Sequence, residues 1–394
     1  MSCSMKYKGL YLVTEPRCLI KGTGAYHHIQ VGLKHLNNRF DVKLITVSEV
    51  NKKTKPLIKE TQDRIHKESN FRKFLLRIGI MGTLIDLKTF IENHRDIFKF
   101  YHFIKLQKPH FIYERASYLN FNGMIVCRLL NLPHIIEVNG LYYQAKKRYY
   151  LSFVNFLVKW SERKLYKFSS YTFFIGLWGN LIGSKKKNWS NIENGIELSF
   201  ISQFSTHTKK IEDKINLCFI GYPMKHHNLS LLVEAIKNCK NKKNLHLHLI
   251  GKGLDTIATD IEEYIDVTTY SFVERDNLVD ILKKMHVGLI PGSHDYASNM
   301  KLFDYGSAKC IVIAPSLPNI IYWFSMSEML LFKKDDVNDL TRIIELINKD
   351  FIEKSQLGEK LYKTIKENFL WEKIFASIEN KINEVCEERF FFEK

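Results

Sequence analysis

Short apolar runs alternate with stretches of helical periodicity along most of the chain. Eleven of these runs have the length and the β-branched content of buried strands. They are Gly9–Val13, Val42–Val47, His110–Tyr113, His134–Val138, Tyr171–Ile175, Asn216–Ile220, Leu245–Ile250, Val267–Tyr270, Val287–Ile290, Ile311–Ala314 and Met329–Phe332. Strands separated by helices indicate parallel sheets of βαβ units, so the pattern predicts an α/β protein with two successive doubly wound domains.

A polar stretch separates the two sets of strands. Residues 205–214, STHTKKIEDK, have no apolar period and are typical of a linker. A chain of 394 residues is also long enough for two domains. The predicted boundaries are residues 1–207 for the first domain, residues 208–370 for the second, and residues 371–394 for a terminal helix that packs back toward the first domain.

Composition excludes only a few classes of partner, site and compartment. The formal net charge of +17 favours anionic partners, but no recognisable nucleic-acid-binding module accompanies it. The seven cysteines include no CxxC pair, which excludes a disulfide framework and a cysteine zinc site. Residues 1–20 lack a signal peptide's apolar core, and the run Phe74–Leu87 is shorter than the roughly 20 residues of a membrane span. We therefore expect a cytoplasmic protein.

A glycine turn follows the first predicted strand, in the segment KGTGAYHHIQVGLKHL. Gly22 and Gly24 precede a helical pattern, where glycines let the backbone approach a phosphate and the helix N-terminus adds partial positive charge. Tyr26–His28 do not supply the third glycine of a dinucleotide fingerprint. A plain strand-to-helix turn is the alternative.

The segment SNMKLFDYGSAKCIVIAP follows the strand that ends near Ile290. Ser298 is a natural N-cap, which predicts a helix from Asn299. Lys301 then lies in the first turn, where the helix dipole disfavours a cation, and this suggests pairing with a bound anion. Asp304 lies on the same face and could accept the hydroxyls of a ribose. The alternative is a surface ion pair between Asp304 and Lys301.

Taken in order, these and other motifs resemble the family 4 glycosyltransferases of the GT-B fold, which assemble surface polysaccharides. The matching segments are GTG after the first strand, IYERAS at Ile112–Ser117, IIEVNG at Ile135–Gly140, IENGIE at Ile192–Glu197, FIG at Phe219–Gly221, HNLSLLVEAI at His227–Ile236, LIGKG at Leu249–Gly253 and SNMKLFDYGSAK at Ser298–Lys309. The resemblance implies two Rossmann-like domains that face each other across a cleft, with the donor in the second and the acceptor in the first.

The resemblance also implies roles for residues of the donor site. Lys301 would contact a diphosphate, Asp304 a ribose, and Gly22 and Gly24 would lie near the phosphates. Ser298 and Asn299 would offer backbone amides, and Gly251 and Gly253 would lie near the base. His227 stands where the family commonly has lysine, and Tyr296, next to Asp295, stands where it often has a sugar-binding glutamate.

By the same resemblance, the reaction is transfer of a hexosyl or related sugar with retention. It would use a nucleotide sugar as co-substrate, a glycan or lipid-linked acceptor, and no cofactor or essential metal. Lys301 and Asp304 are catalytic candidates on the donor side. Glu137, Asn139 and Arg115 are candidates on the acceptor side, although Glu137 could instead be a buried carboxylate paired with Arg115.

Three further alternatives stay open. The basic and aromatic segment Lys146–Phe168 could lie on the inner surface of an acidic membrane, or it could be a core helix with a solvated basic face. His246 and His248 share one side of a strand, which favours packing over metal binding. A sugar-nucleotide epimerase or a non-catalytic sugar-nucleotide-binding protein remains the alternative to a transferase.

Overall fold

The computed structural model describes residues 6–21, 23–46, 70–146, 151–182, 188–210, 213–271 and 273–391. Its contacts divide the chain into two compact units. The first consists of Met1–Ile192 together with Phe375–Lys394, and the second of Glu193–Ile374.

The first unit contains a parallel sheet of six strands in the order β2-β1-β3-β4-β5-β6. Their bounds are Lys8–Val13 (β1), Asp41–Thr46 (β2), Phe111–Arg115 (β3), His134–Val138 (β4), Tyr171–Ile175 (β5) and Trp189–Ile192 (β6). The apolar pattern did not predict β6, because this edge strand is short, only partly buried and carries serine and asparagine. Apolar side chains such as Leu10, Ile45, Ile104 and Val126 form a core on the sheet.

Apart from the last helix of the chain, seven α-helices of the first unit lie in the described residues. They are Gly24–Arg39 (α1), Asn70–Arg77 (α2), Ile80–His94 (α3), Ile97–Gln107 (α4), Asn122–Leu130 (α5), Tyr142–Lys146 (α6) and Asn155–Phe168 (α7). Most follow a strand and lead to the next parallel strand, as the alternating pattern predicts.

The second unit repeats this architecture, with a parallel sheet in the order β12-β11-β10-β7-β8-β9. The strands are Ile215–Ile220 (β7), Leu245–Ile250 (β8), Asp266–Tyr270 (β9), Val287–Leu289 (β10), Ile311–Pro315 (β11) and Leu330–Phe332 (β12). The helices described in it are Leu198–Ser202 (α8), Leu229–Asn238 (α9), Asp255–Thr259 (α10), Arg275–Lys284 (α11), Met300–Ser307 (α12), Pro318–Trp323 (α13) and Val337–Asn368 (α14). Two apolar clusters pack around this sheet.

The unit boundaries differ from the sequence prediction at residues 207 and 371. The second unit begins at Glu193 because Phe200, Ile201 and Phe204 are buried in its core, although they precede the polar stretch. The last helix, Trp371–Phe391 (α15), begins in the second unit and passes into the first at Phe375.

Strand order determines where each unit can bind a ligand. In a doubly wound sheet, ligands bind at the carboxyl ends of the two strands at which the order reverses. In the first unit these strands are β1 and β3, and in the second they are β7 and β10. The loops that follow these four strands are therefore the places to search.

Two predicted exclusions can be compared with the described residues. Cys18, Cys127, Cys218, Cys239, Cys310 and Cys386 are free thiols there. None of the helices in that part of the chain combines the length and the apolar character that crossing a bilayer requires.

Helix α12 rests on the second sheet at Gly288, which a stability measurement can test. A Cβ atom at Gly288 would lie 2.2 Å from Tyr305 Cγ, whose ring is fully buried. We expect Gly288→Ala to lower the free energy of unfolding by about 1–3 kcal/mol through overpacking. Urea denaturation measures this change, and Gly24→Ala is the matched control because a Cβ there meets nothing within 4 Å. Equal stability of both variants would contradict this packing.

Candidate functional site

A lysine with a buried amine lies at the point of the second sheet where the strand order reverses, between β7 and β10. The Nζ atom of Lys301 is buried and has no hydrogen-bond partner in the described structure. It lies 4.4 Å from the centre of the Phe219 ring, which gives only weak compensation. Burial lowers the pKa of Lys301 to about 7, against the opposing effect of the Asp304 carboxylate. An amine in this state gains most from a bound anion.

The backbone of Gly221, after β7, forms the floor next to this amine. Gly221 has a φ of +144°, and a Cβ added there would lie 3.4 Å from Lys301 Nζ and 3.3 Å from His227 Cε1. Glycine thus allows the lysine and the histidine to converge on one point of the chain. Since Lys301 follows β10 in sequence, this point lies between the two strands at which the order reverses.

His227 is a neutral neighbour of Lys301. Its Nδ1 atom lies 2.6 Å from the Tyr222 carbonyl oxygen, which fixes Nδ1 as the protonated nitrogen of the neutral ring. Burial, and after it the nearby Lys301, lowers the pKa of His227 to about 4. His227 is therefore neutral at pH 7, next to an amine whose protonation a dianionic ligand would favour.

Asp304 has a partner that the sequence did not suggest. Its Oδ1 atom accepts a hydrogen bond of 2.6 Å from Arg275 Nη1, while Arg275 Nη2 lies 3.6 Å from Glu197 Oε2. The guanidinium also lies 3.9 Å from the centre of the Phe200 ring. Arg275 thus bridges two carboxylates and fixes the orientation of Asp304, which is 8% exposed. The alternative of a surface ion pair between Asp304 and Lys301 is therefore wrong, because Asp304 is buried and pairs with Arg275.

Arg275 could have been found by the argument that singled out Lys301. It is the first residue of α11, where the helix dipole disfavours a cation. Its carboxylate partners compensate for that position.

The helix that carries Lys301 begins one residue later than predicted. Met300 is its first residue, and the side chain of Asn299, at the N-cap, makes no capping hydrogen bond. The predicted Ser298 cap is therefore wrong. The preceding loop is fixed differently: Ser293 Oγ donates to Asn299 Oδ1 over 2.7 Å, and Asn319 Nδ2 donates to the Ala297 carbonyl.

Glu193 lies close to the same loop and was not among the predicted residues. It is 4% exposed and accepts a hydrogen bond of 2.9 Å from the Asn194 amide. Burial raises its pKa to about 7, and the nearby Ser298 hydroxyl opposes this shift. Ser298 thus lies beside a carboxyl that titrates near neutrality, rather than at a helix cap.

The two glycines after β8 are explained largely by backbone packing. Gly251 has a φ of +143°, and a Cβ there would lie 2.0 Å from the Gly221 carbonyl oxygen. Gly253 has a φ of +80°, beside Pro223. Both lie at the carboxyl edge of the sheet, and Gly251 brings the turn after β8 against the turn that faces Lys301.

Tyr296, at the position where the family often has a sugar-binding glutamate, lies in a loop that hydrogen bonds of Asp295 hold in place. Asp295 Oδ1 accepts a hydrogen bond of 2.7 Å from Lys334 Nζ, and the Asp295 carbonyl accepts one from the Asn319 amide. The Asp295 carboxylate is therefore paired with Lys334. Tyr296, next to it, is partly buried.

In the first unit, Glu137 forms a buried polar network at the end of β4. It is 0% exposed and accepts hydrogen bonds from His28, Tyr113 and Asn139, each of 2.8 Å, and from Arg115. These donors hold the pKa of Glu137 far below its usual range, although burial alone would raise it. Glu137 is thus a buried carboxylate paired with Arg115, which was the alternative to an acceptor-side role. It is unsuited to accept a proton from a substrate.

The remaining predicted residues of the first unit have separate positions. Asn139 is exposed at the end of β4 and donates to Glu137. Gly24 is exposed at the start of α1, where Thr23 Oγ1 accepts from the Tyr26 amide and leaves the space beside Gly24 open. Gly22 lies outside the described residues.

The histidines of β8 pack against each other. The rings of His246 and His248 stack 4.1 Å apart, and Tyr270 of β9 stacks on His248. Within the described ranges, no group of three or more metal-ligating side chains could hold a metal ion.

Known proteins share this architecture. A family model described as "Glycosyl transferase-like" matches residues 228–380, which include Lys301, Asp304 and Arg275. A glycosyltransferase from Rickettsia africae ESF-5 has the same fold, with a TM-score of 0.68 and 12% identity over 98% of this chain and 99% of its own. No curated protein matches the sequence significantly.

Two other solved structures are similar over nearly their whole length. Anabaena HepE in complex with UDP-glucose has a TM-score of 0.61 and 12% identity over 96% of this chain and 100% of its own. The lipopolysaccharide outer core galactosyltransferase WaaB, in its apo form, has a TM-score of 0.64 and 11% identity over 96% of this chain and 99% of its own. The predicted fold of two Rossmann-like domains and the resemblance to GT-B glycosyltransferases of the group 1 type are thereby confirmed.

Proton uptake tests the anionic ligand of Lys301. A bound diphosphate would raise the pKa of Lys301 from about 7, so binding takes up about one proton between pH 7 and the raised pKa. Affinity should then fall as the pH rises through that window and stay level below it. Titration calorimetry of a nucleotide sugar in buffers of different ionisation enthalpy measures the uptake. Lys301→Met should abolish it, and unchanged uptake in this variant would contradict the assignment.

The role of Glu137 is tested by Glu137→Gln. Removing one charge of a buried ion pair leaves Arg115 uncompensated, so we expect a loss of about 3–5 kcal/mol in the free energy of unfolding. Urea denaturation measures the loss, and the exposed Glu92→Gln is the control. Unchanged stability together with lost turnover would instead make Glu137 a catalytic base.

Proposed function

We propose that this chain is a cytoplasmic glycosyltransferase that binds a nucleotide-sugar donor in its second unit. The buried, unpartnered amine of Lys301 at the reversal point of β7 and β10 carries this proposal. Such an amine lowers its free energy by binding a diphosphate, which is the part that all nucleoside diphosphate sugars share. The match of residues 228–380 to a glycosyltransferase model supports this choice of ligand.

The surrounding groups suggest how donor and leaving group are held. Lys301 would neutralise the leaving diphosphate, and the uncapped amino terminus of α12 would add partial positive charge. Asp304, oriented by Arg275, would accept the ribose hydroxyls through its remaining acceptor sites. Preorganised charge that faces the developing charge of a leaving group usually accounts for most of the rate enhancement of an enzyme. Arg275 is therefore a positioning residue, which acts through Asp304.

The proposal extends to the sugar, the stereochemistry and the acceptor of the reaction. We propose transfer of a hexosyl or related sugar with retention to a glycan or lipid-linked acceptor, in the synthesis of O-antigen, capsule or exopolysaccharide. HepE was solved with UDP-glucose and WaaB is a galactosyltransferase of the lipopolysaccharide outer core, which supports a sugar nucleotide and a cell-surface glycan. Charge from Lys301 and α12 would serve the leaving group without an essential metal.

A transfer assay tests the proposal. The protein is incubated with a panel of nucleotide sugars and a lipid-linked acceptor, with EDTA present, and the products are read by mass spectrometry. We expect sugar transfer, and we expect Lys301→Met and Asp304→Asn each to lower kcat/KM by roughly 100-fold or more, as removal of transition-state contacts does.

The outcomes separate the alternatives. Lys360→Met, at an exposed position of α14, is the matched control and should transfer at the parent rate. Donor interconversion without transfer would indicate an epimerase, and binding without either reaction would indicate a non-catalytic protein. Equal rates for Lys301→Met, Asp304→Asn and the parent would overturn the site, while loss of all transfer in EDTA would overturn metal independence.

A further inference from the structure

Helix α3 has its polar and apolar faces reversed. Its inner face buries Asp86, whose Oδ1 atom accepts a hydrogen bond of 2.8 Å from Tyr118 Oη. On the same face, Asn93 Nδ2 donates to the carbonyls of Tyr118 and Leu119. Its outer face carries Ile80, Leu84, Leu87 and Ile91, which are 45%, 56%, 45% and 64% exposed.

The spacing of these exposed side chains is regular. Positions 80, 84, 87 and 91 follow one another at intervals of four, three and four residues, which places them in one stripe along the helix. A surface helix normally buries such a stripe and exposes its polar face. Polar anchoring inside therefore orients the apolar stripe outward, and among the described residues this stripe stays exposed.

The first turns of α7 and the residues just before it repeat this arrangement. Phe153, Phe156 and Trp160 are 66%, 67% and 60% exposed. On the opposite side of α7, Glu162 is buried and accepts from the amides of Tyr142 and Tyr143. The aromatic side chains of this segment therefore also face outward.

The two surfaces adjoin. Thr83 Oγ1 accepts a hydrogen bond of 2.9 Å from the Phe153 amide, and a Cβ at Gly79 would lie 3.4 Å from the Phe153 ring. We call the combined surface the α3–α7 face. Its outward side chains are Leu84, Leu87, Ile91, Phe153, Phe156 and Trp160. A continuous patch of this kind marks a site of interaction with a partner or a membrane.

The charge of α7 favours a membrane over a protein partner. Among residues 151–168 of α7 and its lead-in, the exposed or half-buried ionisable groups are Lys159, Arg163, Lys164 and Lys167, while the one acid, Glu162, is buried. Lys164 Nζ lies 5.2 Å from the centre of the Trp160 ring, so the lysine stem runs along an aromatic side chain. Aromatic side chains flanked by lysines suit the boundary between acyl chains and anionic headgroups.

We propose that the α3–α7 face lies on the surface of an anionic lipid bilayer. The proposal deepens the proposed function, because it brings the enzyme to the surface where a lipid-linked acceptor is presented. It also gives a role to the segment Phe74–Leu87, which is too short to span a membrane but contributes its apolar side chains to the bilayer surface. Helix α3 would lie in the plane of the interface, with Asp86 and Asn93 turned toward the protein.

Vesicle co-sedimentation tests the proposal with the full chain. Vesicles of phosphatidylglycerol and phosphatidylcholine are compared with vesicles of phosphatidylcholine alone. We expect binding to the anionic vesicles that weakens as salt rises, because screening shortens the range of the lysine charges. The double variant Leu84→Gln/Trp160→Gln should lower the vesicle partition coefficient by at least roughly tenfold, since two apolar side chains no longer enter the interface.

The control separates membrane binding from general surface effects. Met326 and Ile352 of the second unit are 75% and 86% exposed, so Met326→Gln/Ile352→Gln removes the same kind of side chain elsewhere. This variant should bind vesicles like the parent. Circular dichroism and thermal unfolding verify that both double variants are folded, which is expected because all four side chains are exposed.

Other results would overturn the proposal. They are the absence of binding to anionic vesicles, equal binding by both double variants, and dimerisation by light scattering that Leu84→Gln/Trp160→Gln abolishes while vesicles bind no protein. Transfer to a water-soluble acceptor distinguishes the two proposals. Parent and Leu84→Gln/Trp160→Gln should have the same rate there, so a failure of membrane binding leaves the transfer activity measurable by itself.

Discussion

The burial of one amine at the reversal point of a parallel sheet is the constraint around which the second unit is arranged. Lys301 reaches this point because α12 follows β10, and Gly221 leaves room for it after β7. Burying an amine without a partner costs free energy, which the rest of the fold must supply. Three contacts lie around this arrangement: Tyr305 of α12 packs on Gly288, the turn of Gly251 lies against Gly221, and Arg275 pairs with Asp304.

The first unit also buries a charged group, but there the protein itself supplies the hydrogen-bond partners. There the buried charge is Glu137, and its neighbours satisfy it with four donors, so little of its hydrogen-bonding capacity remains for a ligand. The two groups therefore differ in their remaining capacity to bind. The buried carboxylate already has its partners, among them Arg115 and His28, whereas the buried amine has no hydrogen-bond partner in the described structure.

Hydrogen bonding of buried polar groups also determines the orientation of the α3–α7 face. Asp86, Asn93 and Glu162 are polar groups that turn inward and find partners there, and as a consequence apolar side chains turn outward. The sequence of α3 contains an apolar stripe but does not state which side is buried. The positions of Tyr118 and Leu119, which lie 25 or more residues away, decide it.

The sequence by itself determined the alternation of strands and helices and the two parallel sheets, because these depend on local periodicity. It also singled out Lys301, because a cation in the first turn of a helix breaks the helix-dipole preference. The sequence pattern missed β6, because this polar edge strand has no apolar run. It also predicted the domain boundary after residue 207, because the polar stretch there resembles a linker. Only the tertiary structure decided the partner of Asp304, the saturation of Glu137 and the outward face of α3. Each depends on residues far apart in sequence, whose contacts no local pattern records.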